Sequence, residues 1–284
     1  MMKNLIRQAK TSVLEVVRQG PREVVWTPPW MGFGNVAYLW LWAHIRNTEG
    51  ADARVLDAPG MASWMTAFPR LGPELGITRD AVAFRDKRRS AVSHNYGRFG
   101  TDFTSSQLAE FLQRYYVESP AFETAAKTER DPQQLTINVR RGDYYAVQHR
   151  AQFAMDVVAY LEQAVQESTA AQGRPSRIHV ISDGLDWCKV RLGWLADHAD
   201  SLTFADPTDG PLRNLTDVAF SHRLILANST FSYWGGYLNG VLRPDSKASV
   251  WAPRFFCRTD EGRSAWQLDP AWSVVEDIPG GWDS

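Results

Sequence analysis

Two cysteines in 284 residues are too few for a disulfide framework. Cys188 and Cys257 stand in no metal-ligand spacing, and no His/Cys ligand cluster occurs elsewhere. The chain also lacks any Asp-x-Asp pair, the arrangement that holds a divalent metal against a nucleotide diphosphate. No apolar run is long enough for a signal peptide or a membrane span. The net charge of -1 offers none of the basic excess that broad nucleic-acid binding requires. No internal repeat or low-complexity tract stands out. These absences set the first expectations: a cytoplasmic chain, no metal, no cofactor and no nucleic-acid partner.

Hydrophobic residues make up 44% of the chain and charged residues 22%, a balance that supports a full-sized core. The length suits one large domain or two of ordinary size. Twelve tryptophans are many. Some can line a carbohydrate site, but core and interface positions are the simpler account of most. Met1 to Gly20 sets Leu5, Ile6, Val13, Leu14, Val16 and Val17 among Lys3, Arg7, Lys10 and Arg18, an amphipathic helix. Packing on its own domain is the expectation there, with peripheral membrane contact as the alternative.

The chain reads as alternating strands and helices. Val24 to Trp26 is a strand, Gly32-Phe33-Gly34-Asn35 a turn, and Val36 to Arg46 a helix. Arg54 to Leu56 reads as a second strand and Ser105 to Val117 as a helix capped by Ser105 or Ser106. The basic run Arg85 to Arg89 reads as a solvated loop. Lys127 to Gln134 is polar, contains Asp131-Pro132 and reads as a linker. A second series follows, with strands at Leu135 to Val139, Ile178 to Ile181, Ser201 to Phe204, Leu224 to Ala227 and Ala248 to Trp251. Helices at Met155 to Ser168, Leu185 to Leu195, Asn214 to Ser221 and Phe231 to Leu242 alternate with them. Such alternation predicts α/β units with parallel sheets covered on both faces. The expected division is 1–130 and 131–284, two nucleotide-fold domains facing a cleft.

Four segments carry chemistry, each just after an expected strand. Gly34 lets backbone approach a ligand, and Asn35 can cap the following helix. Arg140 and Arg141 follow Asn138-Val139 at the C-terminal edge of a strand, where open α/β sheets bind ligands. Two guanidiniums there are costly without a partner. Their planar forks match phosphate oxygens in pairs, so a diphosphate at Arg140 with Asp143 close by is the reading. A structural Arg–Asp pair is its competitor. Asp183, in Ile181-Ser182-Asp183-Gly184, can accept from a ribose or a base N–H, and a plain helix N-cap accounts for it equally well. Asn228, Ser229, Thr230, Phe231 and Ser232 place small polar groups at a helix start, which suits a phosphate. Asn228-Ser229-Thr230 is formally a glycosylation acceptor, but a glycan there would block the site.

In this order the four segments resemble the α-1,2-fucosyltransferases of glycosyltransferase family 11. Gly32 to Asn35 matches the family's Gly-x-Gly-Asn turn, and Asn138 to Asp143 its His-x-Arg-Arg-x-Asp, with asparagine at the first position. Ser182-Asp183 with Trp187-Cys188-Lys189, and Asn228 to Gly235 preceded by Asp217 and His222, match two further motifs. Ala252-Pro253 and Pro270-Ala271-Trp272 match the late pattern. The likeness is close over most of the C-terminal half and confined to the first turn and helix of the N-terminal half.

The resemblance implies the GT-B type, two Rossmann-like domains, the first on the acceptor side and the second holding the sugar nucleotide. It implies a hexosyltransferase like the galactoside 2-α-L-fucosyltransferases. The reaction would be a metal-independent, inverting transfer of fucose from GDP-fucose to a hydroxyl of a glycan acceptor. Arg140 would clamp the β-phosphate and stabilise the leaving GDP, and Arg141 would brace the loop. Asn138 and Asp183 would lie where guanine and ribose are read, and Thr230, Phe231 and Ser232 would approach the diphosphate. Asp143, then His149, are the candidates for general base. A different nucleotide sugar on the same fold, or a catalytically silent sugar-nucleotide binder, are the alternatives.

Overall fold

The structure is a computed structural model that describes residues 17–92, 96–259 and 262–282. The expected N-terminal helix, Met1 to Gly20, lies almost wholly outside the described residues. Two compact units divide the chain, Met1–Ala121 and Phe122–Ser284.

The first unit opens with strand β1 (Arg22–Trp26), helix α1 (Phe33–Thr48) and strand β2 (Asp52–Leu56). Two short helices, α2 (Ala62–Ala67) and α3 (Leu71–Leu75), lead to β3 (Gly76–Ile77). Strand β4 (Lys87–Ser90) completes a four-stranded parallel sheet of order β3-β2-β1-β4. Helix α1 begins at Phe33, three residues before the expected start. Gly32 is its N-cap, and Asn35 stands in its first turn rather than capping it. Helix α4 (Ser105–Leu112) is capped by Thr104, not by Ser105 or Ser106. Thr104 and Gln107 form a reciprocal capping box, which satisfies two amides at once.

Of the basic run Arg85 to Arg89, Arg85 and Asp86 lie in a turn, but Lys87 onward is strand. Lys87 to Ser90 pairs in register with β1, because Arg89 Nε meets the buried Glu23 Oε2 at 3.0 Å. Arg88 lies over the Trp26 ring, 5.4 Å from its centroid. A charged strand at a sheet edge also discourages pairing with another chain. The aromatic residues mainly fill cores. Phe33 stacks on Trp64 with centroids 3.8 Å apart, and Trp40, Trp234, Trp251 and Trp272 are buried.

The second unit begins within α5 (Pro120–Ala126). Its strands are β5 (Gln134–Val139), β6 (Arg177–Ser182), β7 (Ser201–Phe204), β8 (Arg223–Ile225), β9 (Val250–Pro253) and, after a small antiparallel pair of β10 (Phe255–Thr259) and β11 (Gly262–Ser264), β12 (Ser273–Val275). Six of them form an all-parallel sheet of order β12-β9-β8-β5-β6-β7. Sequence reading ended the strands at Trp251 and missed β10, β11 and β12. Helices α6 (Val147–Phe153), α7 (Val157–Gln172), α8 (Leu185–Arg191), α9 (Pro211–Ala219) and α10 (Thr230–Leu242) lie between the strands. Both cysteines are unpaired and buried. Among the described residues no helix is long and apolar enough to cross a membrane.

Three histidines, His44, His179 and His222, have pKa values pushed below the ordinary 6.5, in each case chiefly by burial. The unfolded chain therefore takes up these protons first as pH falls. The stability is present above about pH 6.5 and is lost as pH drops through the folded values. The melting temperature is expected to fall on acidification from about pH 7 to about 5.5. His179→Gln removes the ring that meets Thr203 Oγ1 at 2.9 Å and should flatten that slope. A slope unchanged by the substitution would refute the assignment.

Candidate functional site

The parallel sheet of the second unit delivers its loops to one edge. The strand end of β5 presents Asn138, Val139 and Arg140; β6 presents Ser182 and Asp183; and Ser229 and Phe231 stand at the start of α10. Together with Gly184 to Trp187, Pro207, Asp209, Pro211 and Asn214 they line a cleft of about 510 Å³. Three of the four segments singled out in the sequence thus converge. The fourth, Gly34-Asn35, belongs to the first unit, with Gly34 buried and Asn35 exposed.

Arg140 and Arg141 leave the strand end on different sides, because successive side chains alternate. Arg140 lines the cleft. Its Nη1 meets Asp183 Oδ2 at 2.7 Å, and its Nη2 pairs with Asp143 Oδ1. Arg141 lines a separate hollow. Its guanidinium carbon lies 3.3 Å from the Tyr145 ring centroid and 3.9 Å from that of Trp187, a cation held between two aromatic faces. Its backbone N–H donates to Asp183 Oδ1 at 2.7 Å. Asp183 therefore ties both arginines of the loop.

Gly142 makes this node possible. Its φ of 24° falls in the left-handed region, and a Cβ there would run into Asp183 Oδ2. Gly184 is similarly required, since a Cβ would come to 2.6 Å of Arg141 Cβ.

Asn138 is buried and committed within the protein. Its Nδ2 donates to Ile181 O at 3.2 Å, and its Oδ1 accepts from Ser232 Oγ. Those bonds join β5 to β6 and to α10. Asn228 is likewise buried, with Nδ2 donating to Phe153 O at 3.0 Å and to Phe256 O at 2.9 Å. Both amides brace the loops that carry the cleft, and a buried Asn228 excludes a glycan on the folded chain. Helix α10 begins with Ser229 as N-cap and no side-chain cap bond, and Ser229 and Phe231 at that end line the cleft.

Of the two base candidates, Asp143 is exposed and paired with Arg140. His149 lies on α6 against Phe153, outside the cleft lining. Tyr144, between Arg140 and Phe153, has its phenol pushed far above the usual range by burial. It stays neutral at ordinary pH.

Sequence reading missed Asp186 and Asp209 on the cleft wall. Asp206-Pro207-Thr208-Asp209-Gly210-Pro211 follows β7 as the other site loops follow their strands, and that position was the available signal. Two buried polar atoms of cleft residues have no hydrogen-bond partner, Arg140 Nε and Asn214 Oδ1. Among the described residues no cluster of His, Cys, Asp or Glu is arranged to hold a metal ion.

Residues 107–243, just under half of the chain, match the model of Glycosyl transferase family 11. The resemblance read from the motifs is borne out over that segment, which supports a glycosyltransferase. A crystal structure of POFUT1 in complex with GDP-fucose matches with a TM-score of 0.38 and 13% identity, over 77% of this chain and 70% of that one. That likeness is too distant to argue from. No curated protein matches the chain in sequence.

Proposed function

We propose that this chain, with its family 11 segment at residues 107–243, is an inverting fucosyltransferase that moves fucose from GDP-fucose to a glycan hydroxyl in α-1,2 linkage. The observation that carries the reading is the cleft at the β5 and β6 strand ends. It joins Arg140, the N-terminus of α10 and the unsatisfied Arg140 Nε and Asn214 Oδ1. Two parallel α/β units are consistent with a GT-B plan, with the donor held by the second.

In this proposal Arg140 exchanges a carboxylate for the β-phosphate when the donor binds. The exchange releases Asp143 as general base, with His149 as the second candidate. The charge that builds on departing GDP meets Arg140 and the helix dipole. The guanine edge presents N–H donors. Asn138 and Asp183 are committed to the protein, so we assign that edge to the carboxylates of Asp186 and Asp209. Metal independence belongs to the same proposal, supported by the missing Asp-x-Asp pair and by Arg140. A cytoplasmic location belongs to it too.

GDP should therefore raise the melting temperature more than UDP or dTDP does; at one hundred times its dissociation constant GDP adds about 2.7 kcal/mol of stability over the free protein. Equal shifts from all three would sink the donor assignment. IDP lacks the guanine amino group, so Asp209→Asn should shrink the preference for GDP over IDP. Transfer should persist in EDTA; complete loss restored by Mn²⁺ or Mg²⁺ would contradict metal independence. Nucleotide binding without release of fucose to water or acceptor would leave a silent binding protein.

A further inference from the structure

Beside the cleft runs a second groove. Two hollows, of about 380 and about 540 Å³, share Tyr145, Arg150 and Met155 as walls and so form one run. Arg141 and Arg191 line the first and Arg258 the second. Trp187 is common to the first hollow and the donor cleft. The groove therefore starts where the cleft ends, at the wall made by Trp187 and the stacked Arg141.

Its charge is one-sided. Asp156 is the one carboxylate on either lining, and its Oδ1 is committed as the cap of α7, accepting from Val158 N at 3.0 Å and Ala159 N at 3.1 Å. Among the described residues no ion pair joins Arg141, Arg150 or Arg191 to a carboxylate. This contrasts with the opposite side of the loop, where Arg140 holds two. Arg258 is fixed by carbonyls, with Nη1 donating to Ala154 O and Nη2 to Trp282 O, each at 2.7 Å. Stacking holds the Arg141 fork flat, so an anion meeting it orders little. Met155 and Val158 add apolar wall, and Val147 on the second hollow is 95% exposed.

We propose that this groove binds an anionic group, a phosphate or a carboxylate, carried by the acceptor. The inference rests on the donor reading. The donor's diphosphate belongs to Arg140, on the other side of the Arg141–Trp187 wall. A second anion site abutting that wall serves the other substrate. Guanidiniums in a groove recognise phosphate and carboxylate alike, so the two sources are separated by experiment.

Galactose 1-phosphate, galacturonate and galactose are titrated by calorimetry into the full chain, with and without GDP. The same titrations are made with the doubly substituted variant Arg150→Gln/Arg191→Gln. Both side chains are exposed, and the melting temperature checks that the variant folds. The wild type should bind at least one of the charged sugars about tenfold more tightly than galactose, a preference that weakens with salt. The variant should lose it and keep its GDP affinity. Tighter binding of the phosphate points to a glycosyl phosphate, and of the carboxylate to an acidic sugar. Equal binding of all three, or a preference that survives in the variant, overturns the proposal. Groove-dependent binding of phosphatidylglycerol vesicles with no sugar-anion preference also overturns it, in favour of a membrane surface. Absence of GDP binding by the wild type refutes the donor reading instead, while the titrations without GDP still test the groove.

Discussion

Arg140→Lys should lower kcat/KM for GDP-fucose by about a hundredfold or more, the loss of roughly 3 kcal/mol of transition-state stabilisation. Lysine keeps the charge but offers one ammonium where the fork offers paired donors. It also cannot span Asp143 and Asp183 as Arg140 does. Arg141→Lys should be milder in turnover. Its guanidinium faces away from the cleft, so the substitution mainly loosens the stack between Tyr145 and Trp187. Melting temperatures measured beside the kinetics separate the two effects. If Arg140→Lys turns over normally while Arg141→Lys is folded and dead, the roles are reversed. If both stay active, the diphosphate is not held at this loop.

Gly142→Ala should be nearly as damaging, through geometry alone. A side chain at φ 24° is strained by about 1–3 kcal/mol, and its Cβ would displace Asp183. Asp183 holds the Arg140 side chain and the Arg141 backbone at 2.7 Å each, so both arginines would lose their register. The expected result is at least about a tenfold rise in the Kd for GDP, together with a lower melting temperature. Gly173→Ala is the control. Its φ is 78°, with nothing within 4 Å of the added Cβ, so it should cost stability and leave GDP affinity alone. GDP affinity that survives Gly142→Ala would show that the Asp183 node does not organise the site.

The parallel α/β order was legible because apolar strands alternate with helix-period segments, and the site loops were legible because each follows a strand. Their partnerships were not. Asn138 read as a free amide at a strand end, but the Ser232 hydroxyl that occupies it lies 94 residues away. Asp183 was placed at the ligand edge, but its bonds to Arg140 and Arg141 depend on how β5 and β6 pair. Arg85 to Arg89 looked like solvated charge, because the buried Glu23 that meets Arg89 in the strand stands far off in sequence. Asp209 stayed hidden in a Pro- and Gly-rich turn, where acidic residues are ordinary.

Both cysteines of the chain lie in the second unit, buried, with the Cys257 thiol pushed up to about 11 by burial. The thiolate is the reactive form, so neither sulfur should react with a disulfide reagent until local structure opens. The first unit carries no sulfhydryl. The rate of thiol labelling in the unmodified protein therefore reports the opening of the second unit by itself, without an introduced probe. Any nucleotide that binds that unit must slow the labelling in proportion to the opening it suppresses.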